Sequence, residues 1–250
     1  MQTLKPPAFA GDNECMEISK YLSGDKFDDD YCYRPAVTFD KQSRGDILER
    51  WCAGRSVLHV GFADHEPLIA ARLAAGEWLH SRLSRSAREC YGIDINVSAV
   101  QAAQQLGFDK LYALDIHTPE AADILQSLSI DLVMVPDVVE HLSNPSAFLG
   151  RLATLFPAAD FVISAPNGLS LRNTFHTARG VERINTDHRA WLSPYTLQKV
   201  LADAGLQAME LWGCSVSTPG SIKGRILHHL MQWRPLGADV IIARARRFSR

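Results

Sequence analysis

Three aspartate or glycine positions follow short apolar stretches, and their types suit one ligand. Gly61 follows Ser56–Val60, Asp94 closes residues 89–93, and Asp115 closes residues 111–114. A glycine lets the backbone turn tightly and come close to a ligand. The two oxygens of Asp94 can accept hydrogen bonds from both hydroxyls of a vicinal diol such as a ribose. Asp115 can accept from an exocyclic amine such as that of adenine, with Ile116 beside it as an apolar wall. A lone aspartate at a strand end also serves as a turn or helix cap. The correlation over successive strand ends is what points to a nucleoside. The loop Gly61-Phe62-Ala63-Asp64-His65 has one glycine where a pyrophosphate cradle of the G-x-G-x-x-G type has three. Asp64 would repel a phosphate there and could meet an ammonium instead. The expected ligand is therefore an adenosine without phosphate.

A second group could handle protons. His141 lies just beyond the apolar stretch 131–135, and His188 lies in Asn185-Thr186-Asp187-His188-Arg189. An imidazole titrates at ~6.5, which suits a general base at neutral pH. Each has a structural alternative: His141 holding the loop through a backbone hydrogen bond, His188 capping the following helix with Ser193. Asp137 can contact a ligand or cap the next turn. Asn167 offers donor and acceptor for a polar acceptor molecule, and Arg172, His176 and Arg179 can recognise an anionic one. Arginines in a long loop are otherwise solvated surface. The cysteines Cys15, Cys32, Cys52, Cys90 and Cys214 form no C-x-x-C pair, and no cysteine–histidine spacing suits a metal, so no metal is expected. An odd, scattered set reads as reduced thiols in a cytoplasmic protein.

Positioning these residues takes alternating strands and helices. Strands are expected at Ser56–Val60, 89–93, 111–114, 131–135, 161–164, 206–211 and 238–245. Helices are expected at 41–53, 68–87, 98–106, 119–128, 145–155, 194–204 and 221–233. Short apolar strands separated by such helices call for parallel β-α-β units, hence the α/β class. Residues 1–40 read as a flexible lead, with Tyr31, Tyr33 and Arg34 able to form a lid. Residues 41–250 read as one domain with a long loop at 168–192 and a helical insertion at 221–233. The 250 residues are 46% hydrophobic and 22% charged, a balance that supports one sizeable core. A net charge of -2 gives no overall pull toward nucleic acid, so none is expected as a partner. No signal peptide and no transmembrane stretch is expected. The basic amphipathic stretch 221–233 can rest on a membrane, pack on its own domain, or join two copies as a homodimer.

The residues now quoted resemble the class I S-adenosylmethionine-dependent methyltransferases, in particular the methyltransferase-domain group similar to ubiquinone/menaquinone-biosynthesis enzymes, over about 56–205. Val57-Leu58-His59-Val60-Gly61 is similar to the family's first motif and Tyr91-Gly92-Ile93-Asp94-Ile95 to its second-strand acidic motif. The most specific stretch runs from Asp131 through Pro136-Asp137-Val138-Val139-Glu140-His141-Leu142 to Asn144-Pro145, followed by Phe161–Asn167 ending in proline-asparagine. The resemblance implies a doubly wound, mostly parallel seven-stranded sheet (Rossmann-like) with an antiparallel final strand. It implies S-adenosylmethionine as cofactor, held by His59, Gly61, Phe62, Asp64, Asp94, Ile95, Asp115, Ile116, Pro136 and Asp137. It implies methyl transfer to an oxygen or nitrogen of a small-molecule, glycan-like or lipid-linked acceptor, with His141 and His188 as catalytic candidates. The family usually has an acidic residue at the place of His59 and more glycines at Ala63 and His65. That departure motivates the alternative of a cofactor-binding but inactive subunit. A nicotinamide-dependent oxidoreductase is the further alternative, since it shares the topology.

Overall fold

The structure is a computed structural model that describes residues 12–63, 66–218 and 220–248, with side chains from residue 18 onward. Asp64 and His65 therefore lie outside the described residues. In chain order the elements are α1 (Asp12–Ser23), β1 (Val37–Ser43), α2 (Arg44–Cys52), β2 (Ser56–Val60), α3 (Glu66–Ala74), α4 (Leu79–Ser86) and β3 (Glu89–Asp94). There follow α5 (Val97–Gln105), β4 (Leu111–Ala113), α6 (Pro119–Gln126), β5 (Leu132–Pro136), a 3-10 turn at Val139–His141, α7 (Pro145–Leu155) and β6 (Asp160–Pro166). The chain ends with α8 (Leu171–Thr177), α9 (Pro194–Asp203), β7 (Leu206–Ser215), α10 (Ile222–Trp233), a 3-10 turn at Pro235–Gly237 and β8 (Val240–Arg247).

The sheet has the order β1-β7-β8-β6-β5-β2-β3-β4. Only β8 runs antiparallel to its neighbours, β6 and β7. Strand β2 pairs with β3 on one side and β5 on the other, so the direction of winding reverses between β2 and β5. That reversal opens a crevice at the carboxyl ends of these strands, where ligands of such sheets bind. The central strands β2 and β5 are buried at every position, which explains the unbroken apolar sequence of β5 and the apolar residues of β2 around Ser56 and His59. Alternate residues still face opposite layers. Leu58, Val133, Phe161 and Ile163 pack on Leu149 and Leu152 of α7 and Leu197 and Leu201 of α9. Val57, Leu132, Met134 and Val162 pack on Ile47 and Leu48 of α2 and Leu83 of α4. A smaller cluster of Phe62, Ile69, Trp78, Val100 and Leu111 closes the β3–β4 side under α3 and α5. Each fully buried leucine or isoleucine contributes about 1.5–3 kcal/mol.

The helices start where the sequence supplies caps. Ser43 and Asp46 form a capping box on α2, and Asn96 caps α5. Thr118-Pro119, Asn144-Pro145 and Ser193-Pro194 open α6, α7 and α9 with a cap followed by proline. The cap on α9 is Ser193 with Thr196, so His188 is not needed for it.

Four expectations are corrected. The sheet has eight strands, not seven: β1 adds an edge strand beside β7, spanning the expected boundary at residue 40 and the start of the expected helix 41–53. Its sequence VTFDKQS lacks clean alternation because an edge strand is half solvated. The expected helix 68–87 is two helices, broken at Gly76, whose φ of +71° leaves helical space. The loop 168–192 contains α8, capped by Ser170. The lead is not loose over residues 18–36: Lys199 Nζ donates to the carbonyls of Tyr21 and Leu22, and Gln198 Nε2 donates to the Tyr33 hydroxyl. Tyr31 and Tyr33 pack with Tyr21 and Tyr195, which sets them against α9. Among the described residues, no helix is long and apolar enough to cross a membrane.

Candidate active site

The crevice between β2 and β5 has two flanks. On the first, Gly61 ends β2 with φ +68° and donates its N–H to the Ile93 carbonyl at 2.9 Å. A Cβ at this position would lie 2.5 Å from Val138 Cγ2, so only glycine fits without displacing the β5 loop. Asp94 ends β3 part-buried and turned over the glycine loop. Its Oδ2 accepts from Ala63 N at 3.2 Å and its Oδ1 from Asn96 N at 2.9 Å. Each oxygen keeps acceptor capacity for a further donor. Burial raises the Asp94 carboxyl above its ordinary range, with the N–H groups of Asn96, Ala63 and Ile95 acting the other way. Ile95 is exposed beside it. Asp115 is also exposed, and its Oδ1 accepts from His117 N at 2.9 Å, while Ile116 is buried in the main core and takes Arg151 Nε on its carbonyl at 3.1 Å.

His59 and Phe62 support this loop from beneath instead of facing a ligand. Both are buried, at 2% and 3% exposure. His59 Nδ1 lies 3.2 Å from His80 Nδ1 with the rings stacked at 5.4 Å, and Phe62 and Trp78 complete the cluster. Burial lowers both imidazoles, His80 to about 3 and His59 far below its ordinary value. Both rings are neutral at physiological pH, and one supplies the N–H that the other accepts.

The second flank begins at the buried Pro136, the last residue of β5. Asp137 follows with φ +52°, the one positive value outside glycine among the described residues. Its N–H donates to the Ser164 carbonyl, its Oδ1 accepts from Ser164 Oγ, both at 2.9 Å, and its other oxygen pairs with Arg44. Arg44 is the first residue of α2, placed there by the Ser43 cap. Burial lowers its guanidinium from the usual value, and its Nε is buried without a partner. Glu140 sits in the 3-10 turn at 1% exposure, and among the described residues neither carboxylate oxygen has a hydrogen-bond partner. Burial pushes its carboxyl up to about 7, with the nearness of its own backbone N–H and the Arg44 charge opposing. His141 Nε2 and His188 Nε2 lie 4.0 and 3.9 Å from Glu140 Oε1. The loop bearing His188 is fastened to this turn: Arg189 N donates to the Glu140 carbonyl at 2.8 Å, Arg189 Nε to the His141 carbonyl at 2.9 Å, and His141 Nδ1 lies 3.2 Å from the Asp187 carbonyl. His141 and His188, expected from sequence, are thus brought together with rings 4.8 Å apart.

The expected acceptor residues do not converge. Asn167 is buried with both amide protons spent on the carbonyls of Leu236 and Ala238, and its Oδ1 accepts from Leu169 N. It clamps β6 to the β8 approach and has no donor left for a ligand. Arg172 Nε donates to Asp239 Oδ1 at 2.8 Å, and Arg179 lies over the Phe175 ring at 5.6 Å. Of that trio only His176 lines the cavity of about 540 Å³ between α8, the 180–183 segment and Trp191. Trp191 meets the His188 ring edge-on at 6.0 Å. Sequence reading missed Arg44, whose place depends on the fold of the first strand, and His80, the partner of His59. Glu140 stood inside the quoted motif, but only the structure shows its carboxylate buried and unpaired.

A family model described as a methyltransferase domain matches residues 54–211, more than half of the chain, from β2 into β7. The chain belongs to this methyltransferase family and is an S-adenosylmethionine-dependent enzyme. That membership decides against the nicotinamide reading. No curated protein matches in sequence. Among solved structures it is similar to the small RNA methyltransferase HEN1, with 16% identity, 90% of this chain and 27% of that one covered, and a TM-score of 0.51. It is also similar to a putative Zn-dependent alcohol dehydrogenase from Rhodobacter sphaeroides, with 10% identity, 83% and 91% covered, and a TM-score of 0.52. Magnesium protoporphyrin IX methyltransferase from Synechocystis, with bound SAH, matches at 18% identity over 82% of each chain and a TM-score of 0.49. At identities this low the two matches with TM-scores of 0.51 and 0.52 speak for the fold alone.

Proposed function

We propose that the enzyme methylates an oxygen or nitrogen of a small-molecule, glycan-like or lipid-linked acceptor, with the donor lying across the β2–β5 crevice. The observation that carries this reading is that complementary groups stand at the carboxyl ends of strands in one parallel sheet. Asp94 retains acceptor capacity for ribose hydroxyls next to a glycine turn that leaves room for close approach. Across the crevice, Arg44 has an unpartnered buried Nε and Asp137 a carboxylate. The ion pair that these two form with each other would have to open to take the carboxylate and ammonium of an amino-acid tail, a charge pattern that fits the donor. Asp115 and Ile116 would border the adenine, and Ile95 would cover the ribose side. S-adenosylmethionine supplies a methyl group on a sulfonium, which an aligned nucleophile takes by in-line displacement.

This chain then has to bind, align and dry the acceptor. The cavity lined by Leu169, His176, Val181 and Trp191 offers an apolar wall next to His188. His141 and His188 are the groups that could hold or take a proton from a hydroxyl acceptor. A lipid-linked acceptor, as the similarity to ubiquinone/menaquinone-biosynthesis enzymes suggests, is supported by α10. Its Ile222, Ile226, Leu230 and Trp233 form an exposed stripe beside Lys223 and Arg225.

Calorimetric titration with S-adenosylmethionine and S-adenosylhomocysteine tests the donor site. Both are expected to bind, and Asp94→Ala is expected to weaken both by at least about tenfold, the effect of losing charge-assisted bonds to a diol. Absence of affinity up to roughly millimolar ligand would overturn the reading. Binding without methyl transfer to any acceptor class would favour the inactive-subunit alternative, which the His59–His80 pair motivates.

A further inference from the structure

The acceptor flank holds a buried carboxylate, Glu140, that the methyl-transfer reading leaves unused, beside the two histidines. One ligand atom each from Glu140, His141 and His188 lies within 4.8 Å of the other two. Glu140 is buried at 1% exposure, and among the described residues both of its oxygens lack partners. Leaving a buried acceptor unsatisfied is costly, the more so for a charged group. A carbonyl cannot donate, so the contact of His141 Nδ1 with the Asp187 carbonyl at 3.2 Å puts the ring proton on Nδ1. Nε2 is then a lone pair, 4.0 Å from Glu140 Oε1. This is the outer-shell arrangement that fixes the tautomer of metal-bound histidines. His188 brings a second Nε2 to 3.9 Å from the same oxygen. The nearby cation does not satisfy Glu140, because Arg44 is paired with Asp137.

We propose that Glu140, His141 Nε2 and His188 Nε2 form a binding site for one divalent transition-metal ion of the zinc class. Two imidazoles and one carboxylate are the donor set of three-ligand zinc sites and of facial-triad sites, both of which keep coordination positions open. Bonds of about 2.0–2.2 Å in tetrahedral geometry set donors about 3.4 Å apart. The two separations from Glu140 Oε1, 4.0 and 3.9 Å, need to close by about half an ångström and the histidine pair, within 4.8 Å, by up to about 1.4 Å, which side-chain rotation can supply. Sequence spacing gave no hint of the site, because Glu140 and His141 are adjacent in the 3-10 turn and His188 arrives on a distant loop. The fastening by Arg189 keeps that loop against the turn. The open positions suit water or an acceptor hydroxyl. That last role rests on the proposed function, whereas the metal site stands on the three ligands.

The test uses full-length protein stripped with chelator and titrated with Co²⁺ alone or Zn²⁺ alone, without donor or acceptor. One equivalent of Co²⁺ is expected to bind with a visible absorption band that Zn²⁺ abolishes. His188→Ala and Glu140→Gln are expected to weaken binding by at least about tenfold. His229→Ala, on the exposed face of α10, is expected to bind as the wild type does. Failure of the wild type to take up an equivalent, or uptake unchanged in both His188→Ala and His141→Ala, would overturn the site. Circular dichroism identifies any variant that fails to fold, and His188→Ala, on a surface loop, keeps the test decisive. Titrating S-adenosylhomocysteine into the same samples separates the two readings. Retained donor binding without metal uptake sinks the metal site alone, and metal uptake without donor binding sinks the donor site alone.

Discussion

Gly61 and Asp137 take left-handed backbone at the ends of adjacent strands for opposite reasons. Gly61 does so without strain, and its missing side chain leaves room for Val138. Gly61→Ala adds a Cβ at a positive φ and a clash with Val138, which should cost about 1–3 kcal/mol by denaturant unfolding and weaken S-adenosylhomocysteine binding. Asp137 bears its conformation because Ser164 and Arg44 hold its carboxylate from two sides. Asp137→Asn keeps the shape and removes the charge, leaving Arg44 without its counterion. Its stability should fall by about 1–3 kcal/mol, and Arg44→Met in the same chain should restore part of that, as a double-mutant cycle would show. The places of Asp94, Asp137 and His141 at or just past strand ends were legible in the sequence because the strands before them fix where they emerge, whereas His188, in a long loop, had no such anchor. The partners were not legible either: no spacing relates Arg44 to Asp137 or His59 to His80, since those pairs exist only once distant elements meet. The same limit explains Asn167, whose polarity suggested a ligand contact while its amide is saturated by the backbone before β8.

At the level of elements, boundaries were legible where the chain carries its own punctuation. Residues 145–155 form α7 as expected because Asn144-Pro145 marks its start, and the apolar runs of β2 and β5 identify buried parallel strands. The break between α3 and α4 was hidden, because Gly76 alone interrupts a pattern that otherwise continues and Trp78 is apolar enough to belong to either side. Strand β1 was hidden because its pairing with β7 gives it half of its character. The junction of β1 and α2 also delivers Arg44, so a capping defect there should reach the site. Ser43→Ala removes the cap and its reciprocal bond with Asp46. It is expected to cost about 1 kcal/mol in thermal unfolding and to lower S-adenosylhomocysteine affinity in titration, although residue 43 touches no ligand.

On the scale of the whole molecule, the α/β class followed from the alternation of elements, and the eighth strand extends the sheet at the far edge from β4. The stability of this assembly should depend on acidity through its buried imidazoles. His80 is lowered to about 3 and His59 well below its usual value, so the unfolded chain binds protons that the folded chain refuses. The stabilisation is present in full above about 6.5 and is lost as pH falls from there toward about 3. Thermal melts between these values should show a falling midpoint. Replacing His80 by Phe, which keeps the ring and removes the titration, should flatten that decline.

The pairing of β1 with β7 has an outcome during synthesis. A chain emerging from the ribosome presents the strand preceding Arg44 first, yet the strand it must lie beside comes nearly last, framed by β8. Until then the strand that leads into Arg44 lacks the neighbour that fixes its direction. Polypeptides cut short before β7 should therefore emerge with a weakened grip on the methyl donor, even with every glycine-loop and carboxylate residue already translated.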